Sequence, residues 1–232
     1  MRIQKKQKVA VFDIDGTLFR SSLLIEVVEA LIRKKLFPVH AREDYEAAYH
    51  KWLDRKGEYD DYIMGVVRAF MKHIRGVESE AFVRVARGVA ALHADRVYRF
   101  TRDLATRLKK KGYFLLAISL SPKFIVEEFA KKRGFDKVYG FIYDVDARGR
   151  FTGKGLYEEE IRDKAKILMR AVSKENLTLN GSVGVGDSES DVAFLKFVER
   201  PIAFNPNQTL YREAKRKKWE VVVERKNVVY HI

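Results

Sequence analysis

Two aspartates near the N-terminus follow a short apolar run at a spacing that suits metal-assisted chemistry. Residues 9–12 predict a buried strand, and Asp13 and Asp15 come directly after it. Because side chains alternate between the two faces of a strand, both carboxylates leave it on the same side. Gly16 then allows the backbone to turn sharply. Two carboxylates without a basic neighbour repel each other, so the pattern favours a divalent cation such as Mg²⁺, which takes hard oxygen ligands.

Two later strands are also predicted to end in polar residues. Residues 113–118 predict a buried strand that ends at Ser119, and residues 183–185 predict a short strand that runs into Asp187. Asp191 lies about one helical turn beyond Asp187. The carboxyl ends of parallel strands open onto one crevice, so we expect these side chains to meet there. Three or four carboxylates around one crevice again predict a bound Mg²⁺.

The pattern of helices and strands predicts the fold that positions these residues. From residue 96 onward, predicted helices and strands alternate, and they include a turn at residues 148–150 and a single long helix over about 157–174. This alternation indicates an α/β fold: a Rossmann-like, mainly parallel sheet with helices on both faces. Residues 19–95 contain helical patterns and no convincing strand. We therefore expect an α/β core domain formed by residues 1–18 and 96–232, with residues 19–95 inserted as an all-helical cap domain.

Taken together, these residues resemble the haloacid dehalogenase superfamily of phosphatases. The matching segments, in chain order, are residues 13–18, 118–119, 164–168, 186–191 and 201–206. The helical insertion matches the cap that many members carry between the first two motifs. Within the superfamily, this cap and residues 118–122 look closest to the phosphoserine phosphatase-like branch.

The resemblance implies a phosphatase that works through a covalent intermediate. Asp13 would attack phosphorus and form an aspartyl phosphate. Asp15 would protonate the leaving alkoxide and then take a proton from the attacking water. Mg²⁺ would be held by Asp13, by the backbone carbonyl of Asp15 and by Asp187, and would let one anion approach another.

The resemblance also implies how the phosphoryl group is bound. Ser119 and Lys164 would hold its oxygens, and Asp191 would orient either the metal shell or Lys164. By themselves these assignments are weak, since most loop serines only cap helices and most helical lysines are solvated. Lys154 and Lys166 are nearby alternatives to Lys164, and the sequence leaves that choice open.

The expected substrate is a small phosphorylated metabolite, although two departures argue against phosphoserine itself. Ser22 stands where phosphoserine phosphatases typically have a glutamate that meets the substrate amine, and Leu120 and Ser121 stand where they have glycines. Two other functions stay open. One is a phosphotransferase on the same core, and the other is a nucleic-acid or protein-binding module with a vestigial phosphatase core.

Composition narrows the class of protein. The 232 residues are 47% hydrophobic and include no cysteine, which allows a sizeable core and excludes disulfides and thiolate chemistry. The longest uncharged apolar run is too short to span a bilayer, so we expect a cytoplasmic protein without a membrane partner. Tyr45, Tyr49 and Trp52 recur at helical spacing and are expected to pack within the core or the cap. Oligomeric state stays open.

The net charge of +14 could indicate a nucleic-acid partner. However, the basic runs fall late in predicted helices, where cations complement the helix dipole. These runs are residues 33–35, 109–111, 131–133 and 215–218. We therefore do not expect nucleic-acid binding.

Overall fold

The computed structural model describes residues 6–232, which are organised around an eight-stranded sheet. The strands are β1 (Gln7–Phe12), β2 (Phe114–Pro122), β3 (Lys137–Val145), β4 (Phe151–Leu156), β5 (Leu177–Gly186), β6 (Arg200–Phe204), β7 (Glu220–Arg225) and β8 (Val228–His231). Their order in the sheet is β4-β3-β2-β1-β5-β6-β7-β8. Neighbouring strands are parallel except for the β3–β4 and β7–β8 pairs at the two edges. The predicted mainly parallel sheet is confirmed.

Helices cover both faces of this sheet. They are α1 (Leu23–Arg33), α2 (Glu46–Leu53), α3 (Tyr59–Ile74), α4 (Ser79–Leu92), α5 (Arg99–Lys110), α6 (Lys123–Lys131), α7 (Glu158–Arg162), α8 (Lys164–Lys174), α9 (Val192–Leu195) and α10 (Gln208–Lys217). Short 3₁₀ helices lie at Val39–Asp44 and Glu189–Asp191. Among residues 6–232, no helix combines the length and the apolar character needed to cross a membrane.

The central strand β1 shows why the sheet needs helices on both sides. Val9 and Val11 pack into a cluster with α8, α9 and α10, whereas Ala10 and Phe12 pack into a second cluster with α5. All four side chains are fully buried. Full burial of a valine or phenylalanine side chain contributes about 1.5–3 kcal/mol to the free energy of folding. The alternation therefore fixes the direction in which the next residues leave the strand.

One predicted helix is broken in the structure, with a consequence for the crevice. The single helix expected over residues 157–174 is wrong, because the chain ends α7 and restarts at α8. Asp163 caps the restart, and its carboxylate accepts a hydrogen bond from the Lys166 N–H at 3.1 Å. Lys164 is therefore the first residue of α8 rather than a residue in mid-helix.

A second difference concerns the sheet edge. The turn predicted at residues 148–150 is present, but β4 follows it and pairs with β3, which the sequence pattern does not predict. Gly153 and Gly155 interrupt this strand and weaken the side-chain alternation that would mark it. Strand β5 is also longer than the short strand predicted over residues 183–185, since it begins at Leu177.

Between β1 and α5 the chain forms α1 to α4, and we call residues 23–92 the helical segment. It contains helices and no strand, as the sequence pattern indicates. Within this segment, α4 packs against α1. Helix α4 also contacts α6, which lies outside the segment. That these residues act as a cap domain stays a prediction.

The basic runs lie mainly at helix ends. Helix α5 ends in Arg107, Lys109 and Lys110, and α10 ends in a similar basic turn. Gly112 and Gly134 follow α5 and α6 with φ angles of +78° and +73°, the left-handed conformation of a helix C-terminus. Basic residues at helix C-termini are stabilised by the helix dipole. Part of the net positive charge is therefore explained without a nucleic-acid partner.

Candidate active site

The carboxyl ends of β1, β2 and β5 form the candidate site, and β1 lies between the other two strands. Asp13 follows β1, and its N–H donates to the Val185 carbonyl of β5 at 2.9 Å. Ser119 lies near the end of β2, and Asp187 follows β5 directly. The structure therefore brings the predicted residues of three strands together at one crevice.

Lys164 joins two of the predicted aspartates in the interior of this crevice. Its Nζ donates to Asp13 Oδ1 at 2.7 Å and to Asp191 Oδ1 at 2.5 Å. The lysine is 2% exposed. Burial alone would lower the pKa of Lys164, but the charges of Asp13 and Asp191 outweigh it and raise that pKa above its usual value. The ammonium group therefore stays charged.

The two alternative lysines lie elsewhere. Lys166 pairs with Asp163 at 3.4 Å on the surface, where its side chain is 78% exposed. Lys154 is also exposed, on the edge strand β4. Of the three lysines that the sequence leaves open, Lys164 alone contacts the aspartates of the crevice.

Asp13 has one oxygen without a protein partner. Its Oδ2 is buried and receives no hydrogen bond from residues 6–232. Burial raises the pKa of Asp13 to about 8, with Lys164 opposing this effect and the charges of Asp191 and Asp15 adding to it. A buried carboxylate oxygen without a donor is destabilising. A divalent cation would satisfy this oxygen and favour the ionised carboxylate.

Three carboxylates converge tightly enough to hold such a cation. Asp13, Asp187 and Asp191 each offer an oxygen, and these atoms lie within 4.8 Å of one another. Burial and the charges of Asp13 and Asp191 raise the pKa of Asp187 well above its ordinary value. Hard oxygen donors in this arrangement fit Mg²⁺, so the residues present suit the predicted ion.

Both oxygens of Asp191 are already engaged. Its Oδ1 accepts from Lys164, and its Oδ2 accepts from the backbone N–H groups of Asp187 and Ser188 at 2.9 and 3.1 Å. Asp191 therefore holds Lys164 and the start of the loop after β5 in one arrangement. That Asp191 orients Lys164 or the metal shell during the reaction stays a prediction.

The side chain of Asp15 lies outside the carboxylate cluster. Its Oδ1 accepts from the Leu23 N–H, and its Oδ2 accepts from the Ser119 hydroxyl at 2.7 Å. Burial raises its pKa above the usual value, although these hydrogen bonds oppose the shift. With both oxygens occupied, the carboxylate of Asp15 is not a cation ligand in this structure. The predicted contact through its backbone carbonyl stays a prediction.

Ser119 makes contacts that the sequence does not predict. Its hydroxyl donates to Asp15 and accepts from the Ser121 N–H at 3.0 Å. Ser121 is itself buried, and its side chain helps to lower the pKa of Asp15. Binding a phosphoryl oxygen through Ser119 would therefore require its hydroxyl to turn away from Asp15.

Several supporting residues escape the sequence analysis. The Thr17 hydroxyl donates to Asp187 Oδ1 at 2.8 Å and links the loops after β1 and β5. Gly16 has a φ of +79°, and a Cβ there would collide with the carboxylate of Asp187. A Cβ on Gly186 would likewise collide with Asp191. Glycines that border a predicted carboxylate motif are the signal that could have indicated this close packing.

Tyr98 lies beside the loop after β1, because its N–H donates to the Leu18 carbonyl at 3.1 Å. The guanidinium of Arg20 lies 5.5 Å from the centre of the Tyr98 ring. Burial and the charge of Asp187 raise the pKa of Tyr98, while Arg20 lowers it. The sequence suggests that substrate specificity lies in the predicted cap, near residues such as Arg20, and that role stays a prediction. Tyr98 is an addition from the structure.

Comparison with known proteins places this site in a family. Haloacid dehalogenase-like hydrolases match residues 10–196. A histidinol-phosphatase of Neisseria meningitidis serogroup C is 26% identical over 227 residues, which cover 93% of this chain and 98% of that protein. A structure described as a phospho-aspartyl intermediate analogue of phosphoserine phosphatase has a TM-score of 0.62 at 20% identity and covers 96% of both chains.

A protein of unknown function from Bordetella pertussis Tohama I has the same fold, with a TM-score of 0.73 at 18% identity over 94% of this chain and 98% of that one. The family match includes both aspartates after β1, Lys164 and the acidic residues after β5. The chain therefore belongs to the haloacid dehalogenase-like hydrolases.

Proposed function

We propose that this protein is a Mg²⁺-dependent phosphatase that hydrolyses a small phosphomonoester through an aspartyl phosphate on Asp13. The observation that carries the proposal is the buried pairing of Asp13 with Lys164, which leaves one oxygen of Asp13 without a protein partner. A carboxylate held beside a buried cation is oriented for attack on a phosphoryl group. It also lies next to Asp187, whose carboxylate can share a metal ion with it.

The first chemical step transfers the phosphoryl group to the protein. An oxygen of Asp13 forms a bond to phosphorus while the bond from phosphorus to the alkoxy oxygen breaks. The leaving oxygen takes the proton of Asp15 and departs as an alcohol. Burial raises the pKa of Asp15, which favours the protonated form that this step requires.

The second step releases phosphate. Asp15, now ionised, takes a proton from water, whose oxygen bonds to phosphorus as the bond to Asp13 breaks. Lys164 and Ser119 bind the phosphoryl oxygens in both steps, and Asp191 holds Lys164 in place. Asp13, Asp187 and the backbone carbonyl of Asp15 would hold Mg²⁺, which would supply positive charge to offset the negative charge of both reactants.

The helical segment is proposed as the cap that selects the substrate. The segment begins beside the site, because the Leu23 N–H at the start of α1 donates a hydrogen bond to Asp15. Relatives named histidinol-phosphatase and phosphoserine phosphatase support a small phosphorylated metabolite as the substrate. The absence of the expected glutamate at Ser22 argues against phosphoserine itself.

A phosphatase assay with a matched pair of variants tests this proposal. We expect the purified protein to hydrolyse phenyl phosphate and small alkyl phosphates with Mg²⁺, and to lose this activity in excess chelator. Asp13→Asn should lose nearly all activity while it unfolds at a temperature close to that of the wild type. The control is Asp103→Asn, because Asp103 pairs with Arg102 on α5 outside the crevice. Full activity of Asp13→Asn would overturn the proposal.

A further inference from the structure

Thr101, in the first turn of α5, donates a hydrogen bond to the loop after β1. Its hydroxyl lies 2.9 Å from the Thr17 carbonyl, 84 positions away in the chain. The same hydroxyl lies 3.4 Å from the Tyr98 carbonyl, three residues before it. The shorter distance identifies Thr17 as the main acceptor. Thr17 and Thr101 are fully buried, so water cannot take the place of this donor without a rearrangement of the packing.

Thr17 connects Thr101 to Asp187, one of the proposed ligands of Mg²⁺. The Thr17 hydroxyl donates to Asp187 Oδ1 at 2.8 Å. The main chain of Asp187 is held separately, because its carbonyl accepts from the Asn207 N–H at 2.8 Å. The bond from Thr17 therefore acts on the rotation of the carboxylate itself. Hydrogen bonds of this kind orient the carboxylates that bind metal ions in proteins.

The N-terminus of α5 is attached to the sheet, which holds Thr101 in place. The carboxylate of Glu224 on β7 accepts from the N–H groups of Arg99 and Phe100 at 3.2 and 2.8 Å. These N–H groups have no partner inside the helix. The Phe100 ring also stacks on Phe204 of β6, with ring centres 5.7 Å apart and an angle of 8° between the planes. The threonine hydroxyl is therefore presented from a fixed helix end.

The loop next to Thr17 is held by main-chain hydrogen bonds that do not involve Thr101. The Leu18 carbonyl accepts from the Tyr98 N–H at 3.1 Å, and the Leu18 N–H donates to the Ile14 carbonyl at 2.9 Å. A substitution that removes only the Thr101 hydroxyl leaves both bonds in place. We therefore expect it to loosen Thr17 without unfolding the loop.

We propose that Thr101 is a positioning residue for the Mg²⁺ site: its hydroxyl holds Thr17, and Thr17 in turn holds the Asp187 carboxylate in the orientation that binds the ion. This proposal rests on the metal site of the proposed phosphatase function. Thr101 contacts neither the ion nor the substrate in this arrangement. Its effect should therefore appear in the affinity for Mg²⁺ and not in the rate at saturating Mg²⁺.

Thr101→Val and Thr101→Ser separate the hydroxyl from the packing of the side chain. Thr101→Val keeps the shape and removes the donor, so the dissociation constant for Mg²⁺ should rise by about three- to tenfold, less than for a direct partner of a ligand. Thr101→Ser keeps the donor and should stay within about twofold of the wild type. Isothermal titration calorimetry with MgCl₂ measures this affinity without a substrate. At saturating Mg²⁺, kcat should change by less than about twofold in both variants.

Thr17→Val tests whether the effect of Thr101 passes through Thr17. This change removes the bond to Asp187 and keeps the carbonyl that Thr101 contacts, so the dissociation constant should rise by about 10- to 100-fold. In the Thr17→Val background, adding Thr101→Val should change the affinity by less than about twofold, because the connection to Asp187 is already broken. Equal effects of Thr101→Val in the two backgrounds would overturn the proposed connection.

Thr106→Val is the matched control, because Thr106 lies on the same helix and its exposed hydroxyl donates to the Arg102 carbonyl at 2.9 Å. It should leave the Mg²⁺ affinity unchanged. A Thr101→Val variant that unfolds at a lower temperature but binds Mg²⁺ as the wild type does would overturn the positioning role, since a merely structural threonine predicts that result. An equal loss of affinity in Thr101→Ser would also overturn it. Thr101→Ala replaces the valine variant if the latter does not fold.

Hydrolysis of phenyl phosphate by the wild type tests the proposed function separately. A wild type that binds Mg²⁺ and hydrolyses no phosphomonoester would overturn the phosphatase function and leave the role of Thr101 to the calorimetry. An active wild type whose Mg²⁺ affinity is insensitive to Thr101→Val would overturn the role of Thr101 alone.

Discussion

The Nζ of Lys164 lies 2.7 Å from Oδ1 of Asp13, although the two residues are 151 positions apart in the chain. Both side chains are buried, and Asp191 completes the arrangement on the other side of the lysine. A buried charge requires a partner, so each of these residues is held in place by the others. The pairing connects the start of α8 to the end of β1 and positions the proposed nucleophile.

Lys164→Met should leave two buried carboxylates without their cation. Without metal, we expect the variant to lose about 3 kcal/mol of unfolding free energy, as for other broken buried ion pairs. With Mg²⁺, it should lose its phosphatase activity. Lys166→Met is the control and should stay within about 0.5 kcal/mol of the wild type, since Lys166 is on the surface. Urea unfolding and phosphatase assays measure both effects. If Lys166→Met lost activity and Lys164→Met kept it, the assignment of Lys164 would be wrong.

Asp187→Asn and Asp15→Asn should differ in their response to Mg²⁺. If the ion binds Asp13 and Asp187, saturating Mg²⁺ should raise the unfolding temperature of the wild type by about 5 °C, because binding to the folded state stabilises it. Asp187→Asn should lose most of this shift. Asp15→Asn should keep it, since the Asp15 carboxylate is occupied by Leu23 and Ser119. The opposite order in a thermal unfolding assay would contradict the assigned ligands.

Asp15→Asn should also separate the two chemical steps. An alkyl phosphate releases a poor leaving group, so the variant should stop at the first step with such esters. With p-nitrophenyl phosphate it should pass that step and stop at the second, because water still needs a base. Rapid mixing should show a burst of nitrophenolate close to one equivalent per protein, followed by slow turnover. Wild-type rates on both substrates would remove Asp15 from the mechanism.

Glu29→Gln should destabilise the helical segment in a pH-dependent way. Arg42 Nη2 donates to Glu29 at 2.6 Å and the Tyr45 hydroxyl donates at 2.5 Å. Burial alone would raise the pKa of Glu29, but these hydrogen bonds outweigh it and lower that pKa below its usual value. The ionised carboxylate therefore contributes stability above the unfolded-state pKa, and this contribution is lost as the pH falls through the folded-state value.

At neutral pH we expect Glu29→Gln to cost about 1–2 kcal/mol of unfolding free energy. The difference from the wild type should start to shrink as the pH falls below the unfolded-state pKa of about 4.3, and it should be smallest below the lower folded-state pKa, where the glutamate is protonated in both states. Denaturant unfolding at several pH values measures this. The control is Glu80→Gln, whose exposed glutamate lies 4.0 Å from Arg84. A Glu29→Gln effect that does not vary with pH would contradict the charged interaction.

The amino-acid pattern alone was sufficient for the central part of the site. Asp13 and Asp187 follow apolar runs that form β1 and β5, and in a parallel sheet such strand ends meet at one edge. The same local periodicity predicted helices and no strand over residues 19–95, where α1 to α4 lie. Strand and helix periods are properties of neighbouring residues, so a single sequence contains them.

The tertiary structure decided the contacts between distant segments. Local pattern does not distinguish Lys164 from Lys154 or Lys166, because burial of one lysine depends on the break between α7 and α8 and on residues far along the chain. The same holds for the hydrogen bond between Ser119 and Asp15 and for the one between Thr17 and Asp187. Each depends on how packed elements meet, and no short stretch of sequence specifies that.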